Sequence, residues 1–323
     1  MRIALDAMGG DFAPGEIVKG AVEASKLLPV EIILVGKVAE IERELQKYRI
    51  KLPIVPASEV IEMNEAPAQA VKSKKDASVN VALSLVKEGR ADAVVSAGNT
   101  GALMAAALFK LGRIPGVERP AIATEFPTPS GKVLLLDMGA NVDSKPKHLE
   151  QFAQMGSLYA QHVLHIVRPR VGLLNIGEEK EKGNELVRES WPLLAKAPIN
   201  FIGNVEAKEI LSGKVDVVVC DGFVGNLILK FGETIGASVM QLLKTELSSG
   251  ALNKLGLLFL FPALKKLQKK ISYDEQGGAP LLGINGIVFK AHGRARSRAI
   301  MSAIRETTEA VKENIIGNMS KIG

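Results

Sequence analysis

The sequence predicts a three-layer α/β/α protein: a mostly parallel sheet, helices on both of its faces, and a cleft at its centre. Short, near-continuous runs of Val, Leu and Ile recur along the chain, the pattern of strands buried on both faces. Amphipathic stretches of helical length separate them, and this alternation implies parallel strands joined by crossover helices. The 323 residues are 47% hydrophobic and 24% charged, enough for a sizeable core and against wholesale disorder. No linker and no repeat of fixed period divides the chain, so 1–323 reads as a single two-lobed unit.

In chain order, Arg2–Asp6 is the first strand and Glu16–Leu28 the first helix. The strand Val30–Val35, the helix Val38–Tyr48 and the short strand Leu52–Pro56 follow. Val79–Lys87 and Thr100–Leu111 are helices on either side of the strand Asp92–Ser96. Ala121–Glu125 and Val133–Asp137 are strands, then Pro146–His165 is a helix. Arg170–Asn175, Ile199–Ile202 and Val215–Cys220 are strands, with the helix Asn184–Lys196 after the first of them. The helices Phe223–Glu246 and Arg294–Glu313 complete the pattern.

The turns after the strands carry the functional information. They read Ala97-Gly-Asn-Thr-Gly101, Asp137-Met-Gly-Ala-Asn141, Asn175-Ile-Gly-Glu-Glu179 with Lys182-Gly-Asn184, Gly203-Asn204, and Asp221-Gly-Phe-Val-Gly-Asn226. The carboxyl edge of an open α/β sheet is where ligands bind. Glycine allows close backbone approach, and N–H groups at the following helix starts favour anions. Any one of these turns is equally a good βα turn with an Asn cap. Five together point to an anion-binding cleft for phosphate or a phosphorylated group.

Several chemistries are disfavoured. No strand is followed by Gly-x-Gly-x-x-Gly, and Gly278–Gly283 has Walker spacing but continues Ile284-Asn285 where Lys-Ser/Thr is needed. The Gly/Pro content makes 276–283 an ordered loop close to a ligand. Ser96 lacks the first glycine of a nucleophile elbow, and Cys220, the single cysteine, ends an apolar run as a buried inert thiol. His162 and His165 lack a third partner, so no metal site is assigned. Asp6-Ala-Met-Gly-Gly-Asp11 is a further glycine turn with carboxylates, without ligand spacing for a hard cation. His292 is either a helix-capping residue or a cleft group, and Lys182 is either part of a solvated loop or a cation for phosphate.

The net charge of +6 is uneven: residues 251–305 hold ten Lys/Arg against two acids. This local excess suits an acidic or membrane partner, and with 4% aromatics nucleic acid is not expected. Lys290, Arg294, Arg296, Arg298 and Arg305 read as an exposed docking patch or a solvated helix face. The N-terminus lacks a signal-peptide pattern, and the apolar run Leu255–Leu264 is too short to span a bilayer. With Lys265, Lys266, Lys269 and Lys270 beside it, 251–273 reads as a protruding amphipathic membrane-associating segment, or as a core or interface helix.

Six ordered blocks together resemble the bacterial phosphate acyltransferase of phospholipid synthesis, the PlsX family. They are Asp6–Asp11, Ser96–Ala102, Leu136–Asn141, Leu174–Asn184, Asp221–Asn226, and Gly277–Gly283 followed by His292-Gly293. The resemblance runs from Met1 to about Val311. It implies the architecture of the phosphotransacetylases and the isocitrate/isopropylmalate dehydrogenase group. It also implies transfer of an acyl group from acyl-carrier protein to inorganic phosphate, with no organic cofactor. A cytoplasmic, peripherally membrane-associated homodimer is implied, whose product feeds a membrane glycerol-3-phosphate acyltransferase. Within this reading Lys182, His292 and Asp221 are the expected catalytic residues. Gly98, Asn99, Thr100, Gly101, Asn141, Asn175, Gly183, Asn184, Gly225, Asn226, Gly277 and Gly278 are expected to bind phosphate or substrate. On this expectation Lys182→Ala lowers the rate ~10²–10³-fold. The competing readings are a metal- and NAD-dependent decarboxylating dehydrogenase of the same architecture, and a non-enzymatic membrane scaffold.

Overall fold

The computed structural model describes residues 1–129, 131–247, 260 and 277–322. Apart from Leu260, the segment 251–273 lies outside the described residues.

The first half of the chain builds β1 (Arg2–Asp6), α1 (Gly15–Leu27), β2 (Glu31–Gly36), α2 (Val38–Gln46), β3 (Ile54–Pro56), α3 (Pro67–Ser73), α4 (Ser78–Lys87), β4 (Ala93–Ser96), α5 (Thr100–Lys110) and β5 (Ala121–Ile122). Next come β6 (Thr124–Thr128), β7 (Gly131–Leu136), α6 (Pro146–His162), β8 (Arg170–Leu174), α7 (Glu185–Lys196), β9 (Asn200–Val205), α8 (Ala207–Ile210), β10 (Val217–Val219) and α9 (Gly222–Leu247). The chain closes with β11 (Ala279–Leu282), β12 (Ile287–Lys290), α10 (Ser297–Lys312) and α11 (Ile315–Met319).

The strands form two sheets. One has seven strands in the order β3-β2-β1-β4-β12-β11-β5, and the other has five in the order β6-β7-β10-β8-β9. Pairing is parallel except at β11, which runs antiparallel to β12 and β5, and at β6, antiparallel to β7. Ala121–Glu125, expected as one strand, is divided: β5 ends the first sheet and β6 begins the second, so the chain crosses between sheets at Ala123.

Alternation along each strand explains the layers. Ile3 and Leu5 face one apolar core with α1, α6 and α10, while Ala4 faces a second core with α3, α4 and α5. In the other sheet Leu134 and Leu136 join the first core, and Val133 and Leu135 the second. Both faces are thus dry, which is why the strand sequences read as unbroken apolar runs.

Residues 276–283, expected as a loop, contain strand β11. Pro280 sits opposite Phe289, and its carbonyl accepts from the Ala123 N–H at 3.1 Å. Proline lacks an N–H but keeps its acceptor, so the segment joins the sheet despite a turn-like composition.

Candidate active site

Three polar residues stand in register at the carboxyl ends of three neighbouring parallel strands: Asp6 on β1, Ser96 on β4 and Lys290 on β12. Ser96 Oγ donates to Asp6 Oδ2 at 2.7 Å, and the Met8 N–H donates to Asp6 Oδ1 at 3.2 Å. Burial raises the Asp6 pKa, while hydrogen bonds from Ser78, Ser96, Met8 and Gly9 pull it back. Gly9 is required by close approach: a Cβ there would lie 2.6 Å from Asp6 Oδ2 and 2.7 Å from the Gly98 nitrogen. The Asp6–Asp11 turn therefore packs directly on the Ser96–Ala102 turn.

Lys290 is only 8% exposed. Its ammonium donates to the Ala97 carbonyl at 3.3 Å and to the Ala291 carbonyl. Burial brings its pKa down to about 8, against the pull of Asp6 and Asp11, with Lys230 repelling it further. An unfolded lysine titrates at 10.5, so below pH 8 the native state carries the full cost of this buried charge, ~3 kcal/mol. That cost is relieved only as pH rises from about 8 towards 10.5. The sequence reading placed Lys290 in an exposed patch; the structure buries it at a strand end.

Lys290 opens onto a cavity of about 1220 Å³ lined by residues of both sheets. Its lining includes the cations Lys290, Arg294 and Lys230 and the polar His292, Asn226 and Thr100, with the carboxylates Asp11 at 3.9 Å from Arg294 and Glu233 at 3.7 Å from Lys230. The same lining carries the apolar Ile122, Pro127, Pro129, Met138 and Leu229. Glu306, Glu125 and Lys132 line it too, and the latter two pair at 2.5 Å. Burial beside the Glu125 charge raises the Glu306 pKa. His292 Nδ1 accepts from the Arg294 N–H at 3.1 Å. Burial, with Lys290, Lys230 and Arg294 nearby, lowers its pKa, so the imidazole is neutral at pH 7 and carries its proton on Nε2.

Helix α9 brings Asn226, Leu229, Lys230 and Glu233 to this cavity. It can do so because its first turn is glycine at two places. A Cβ on Gly225 would stand 1.9 Å from the Asp137 carbonyl oxygen, and one on Gly222 2.5 Å from the Asn141 carbonyl oxygen.

Of the residues singled out in the sequence, Thr100, Asn226, Gly277, Gly278 and His292 line this cavity. The others are held in turns at the strand ends, and the turn after β8 contributes no residue to the cavity lining. Asn99 caps α5, accepting from the Ala102 N–H at 3.0 Å, and donates to the carbonyls of Glu62, Met63 and Glu65. The Gly98 N–H donates to Ser96 Oγ, and Gly101 packs on Pro67. Asn141 donates its amide to Asp137 and to the Pro120 carbonyl. Asp221 caps α9, accepting from the N–H groups of Phe223 and Val224 at 3.0 Å each. Asn175 donates to the Lys182 carbonyl, Gly183 packs on Asn175, and Asn184 caps α7. Lys182 itself stands on this exposed loop beyond β8, outside the cavity lining. The inert reading of Cys220 holds: it is buried, and burial drives its thiol pKa far up.

Lys290 and Lys230 were missed as site residues. A signal for Lys290 was present, since Ile287-Val-Phe-Lys290 is an apolar strand that ends in a charge at the ligand edge. Lys230 gave none, being one polar residue in a long helix.

The description "Fatty acid synthesis protein" belongs to a family model that matches residues 1–318. A phosphate acyltransferase of Heliobacterium modesticaldum is 55% identical over 320 residues, covering 98% of this chain and 96% of that protein. The chain belongs to the phosphate acyltransferase family. A second member, from Nostoc punctiforme, is 52% identical and covers 98% of this chain and 94% of its own. Among solved structures, a phosphotransacetylase from Streptococcus pyogenes superposes with a TM-score of 0.68 at 17% identity, covering 97% of this chain and 94% of that one. A putative 4-hydroxythreonine-4-phosphate dehydrogenase from Salmonella typhimurium reaches 0.55 at 15% identity, covering 95% and 98%. These likenesses show that the family shares its α/β/α fold with phosphotransacetylases and dehydrogenase-like enzymes.

Proposed function

We propose that the chain transfers the acyl group of acyl-carrier protein from its thioester to inorganic phosphate, giving acyl phosphate and free carrier protein. The observation that carries this reading is the cavity at the strand ends, whose lining combines cations with apolar side chains. The first suit a phosphate dianion and the second suit the acyl chain. A phosphate oxygen attacks the thioester carbonyl, a tetrahedral oxyanion forms, and the carbon–sulfur bond breaks. Phosphate is the nucleophile, so the protein needs to bind, orient and stabilise charge. Asn226 and Thr100 are suited to hold phosphate oxygens, and the neutral His292 offers its Nε2–H to the leaving sulfur or to phosphate. Lys182 stands on the exposed loop beyond β8, outside the cavity lining, and its proposed electrostatic role is tested by Lys182→Ala: a ~10²–10³-fold loss of rate supports it, and near-wild-type turnover returns it to a solvated loop. Asp221 acts by holding the start of α9.

The test is release of the carrier thiol from palmitoyl-carrier protein, followed with a thiol reagent. Release should depend on phosphate and need neither NAD nor Mg²⁺. Release at the same rate without phosphate would mark a thioesterase.

The working form is a homodimer. Phe223, Leu227, Phe231, Ile235, Val239 and Leu242 make an exposed apolar band along α9, away from its cavity-facing residues. Such a band on a long helix suits a second copy of the chain. Arg294, which lines the cavity, and the exposed Arg296 and Arg298 that follow it suit docking of an acidic carrier protein. Among the described residues no helix is long and apolar enough to cross a membrane. Peripheral attachment of a cytoplasmic enzyme falls instead to 251–273, with delivery of acyl phosphate to a membrane glycerol-3-phosphate acyltransferase. Leu258→Glu with Phe259→Glu should abolish sedimentation with anionic liposomes and spare turnover; continued sedimentation would remove the segment from that role.

A further inference from the structure

We propose that Lys290 is the principal ligand of the attacking phosphate, and that Lys230 closes the same site from the facing helix. The inference rests on the phosphate acyltransferase reading and names the anion subsite within it.

A lysine ammonium has three N–H donors. Two of those on Lys290 go to the carbonyls of Ala97 and Ala291; the third has no partner among the described residues, and the side chain lines the cavity. Lys230 lines the same cavity from α9 and repels Lys290. Its ion-pair partner among the described residues is Glu233 at 3.7 Å, and the lysine side chain remains 61% exposed. Two cations brought to one cavity, one from the end of β12 and one from α9, form a site for an anion, whose binding turns their repulsion into attraction. Asp6 sits behind Lys290 and favours its charged form, while Ser96 and the backbone N–H groups satisfy the carboxylate. Lys290 thus stays protonated at pH 7 with little water around it, and a poorly solvated cation attracts a dianion more strongly than one on the surface.

The subsite also sets the attack. Phosphate held at the end of β12 lies within the same cavity as the apolar wall of Ile122, Met138 and Leu229. One phosphate oxygen forms the new bond to the carbonyl carbon. The carbon–sulfur bond breaks with its electron pair on sulfur, and the proton of hydrogen phosphate ends on the released thiol. Charge and atoms balance without a further reactant.

The test compares wild type with Lys290→Met and Lys290→Arg. Lys290→Met should raise the KM for phosphate ~10²-fold, the scale of losing a desolvated charge contact, and leave the KM for acyl-carrier protein within about twofold. Calorimetry with inorganic phosphate alone should show the same loss. Lys290→Arg should recover part of the affinity. In wild type the phosphate KM should rise above about pH 8, where Lys290 loses its proton while phosphate is already a dianion. Asp6, Asp11, Lys230, Glu233, His292 and Arg294 are the charged and titratable groups around it, and Asp6 and Asp11 hold its pKa up while Lys230 lowers it. In Lys290→Arg that rise should vanish. A folded Lys290→Met with wild-type phosphate KM and binding overturns the proposal. Should Lys290→Met fail to fold, Lys290→Gln is read in its place, and unchanged phosphate binding there overturns it equally. Phosphate-independent release by wild type contradicts the reaction itself, which separates that failure from this one.

Discussion

Gly225→Ala should destabilise the protein by ~3 kcal/mol and lower its activity at least tenfold. The added Cβ would stand 1.9 Å from the Asp137 carbonyl oxygen and 2.7 Å from Met138 Cε. The first contact is with backbone, so α9 must move as a body. Asn226, Leu229 and Lys230 move with it, away from the cavity they line. A fall in Tm of roughly 4–5 °C is expected from a loss of that size in a chain of 323 residues. Gly15→Ala is the control, because its Cβ meets nothing closer than 3.7 Å, and it should change stability by less than ~0.5 kcal/mol. Equal Tm values for the two variants would show that α9 does not depend on this close approach.

Leu227→Glu combined with Phe231→Glu should convert the proposed dimer to a monomer. Phe231 is 68% exposed and Leu227 54% exposed, four residues apart on the apolar band of α9. Each such side chain contributes ~1.5–3 kcal/mol when buried, and both copies lose the contact. Sedimentation velocity should report half the wild-type mass. The cavity-facing side of α9 carries Asn226, Leu229, Lys230 and Glu233, so phosphate binding to the monomer should persist. A double variant that remains dimeric would mean that copies do not meet through this band.

The fold was legible where burial imposes a simple pattern. β1, β4, β10 and the Val133–Leu136 part of β7 are dry on both faces and read as apolar runs. β11 was hidden because Gly277, Gly278 and Pro280 carry loop chemistry, while its partners Phe289 and Ile122 lie 9 and 159 residues away from Pro280 and Leu281 respectively. The division at Ala123 was hidden because one β-branched run serves two sheets.

The site was legible in part for the same reason. The Gly/Asn turns do sit at strand ends, yet Asn99, Asn141, Asn175 and Asn184 turn their side chains to caps and carbonyls. They shape the edge, and sequence alone does not separate an asparagine that caps from one that holds a ligand. The clearest omission was Lys290. Counted by sequence it was one positive charge among ten in 251–305, and only register with Asp6 and Ser96 shows it as a buried cation.

The most direct test of the account uses inorganic phosphate carrying ¹⁸O at every oxygen, incubated with palmitoyl-carrier protein and the enzyme, with products read by mass spectrometry. Acyl phosphate should appear with all of the label, in amounts equal to the carrier protein released. Free palmitate with unlabelled carboxyl oxygens, formed in step with carrier release from the start, would show that water rather than phosphate attacks and would contradict the assignment.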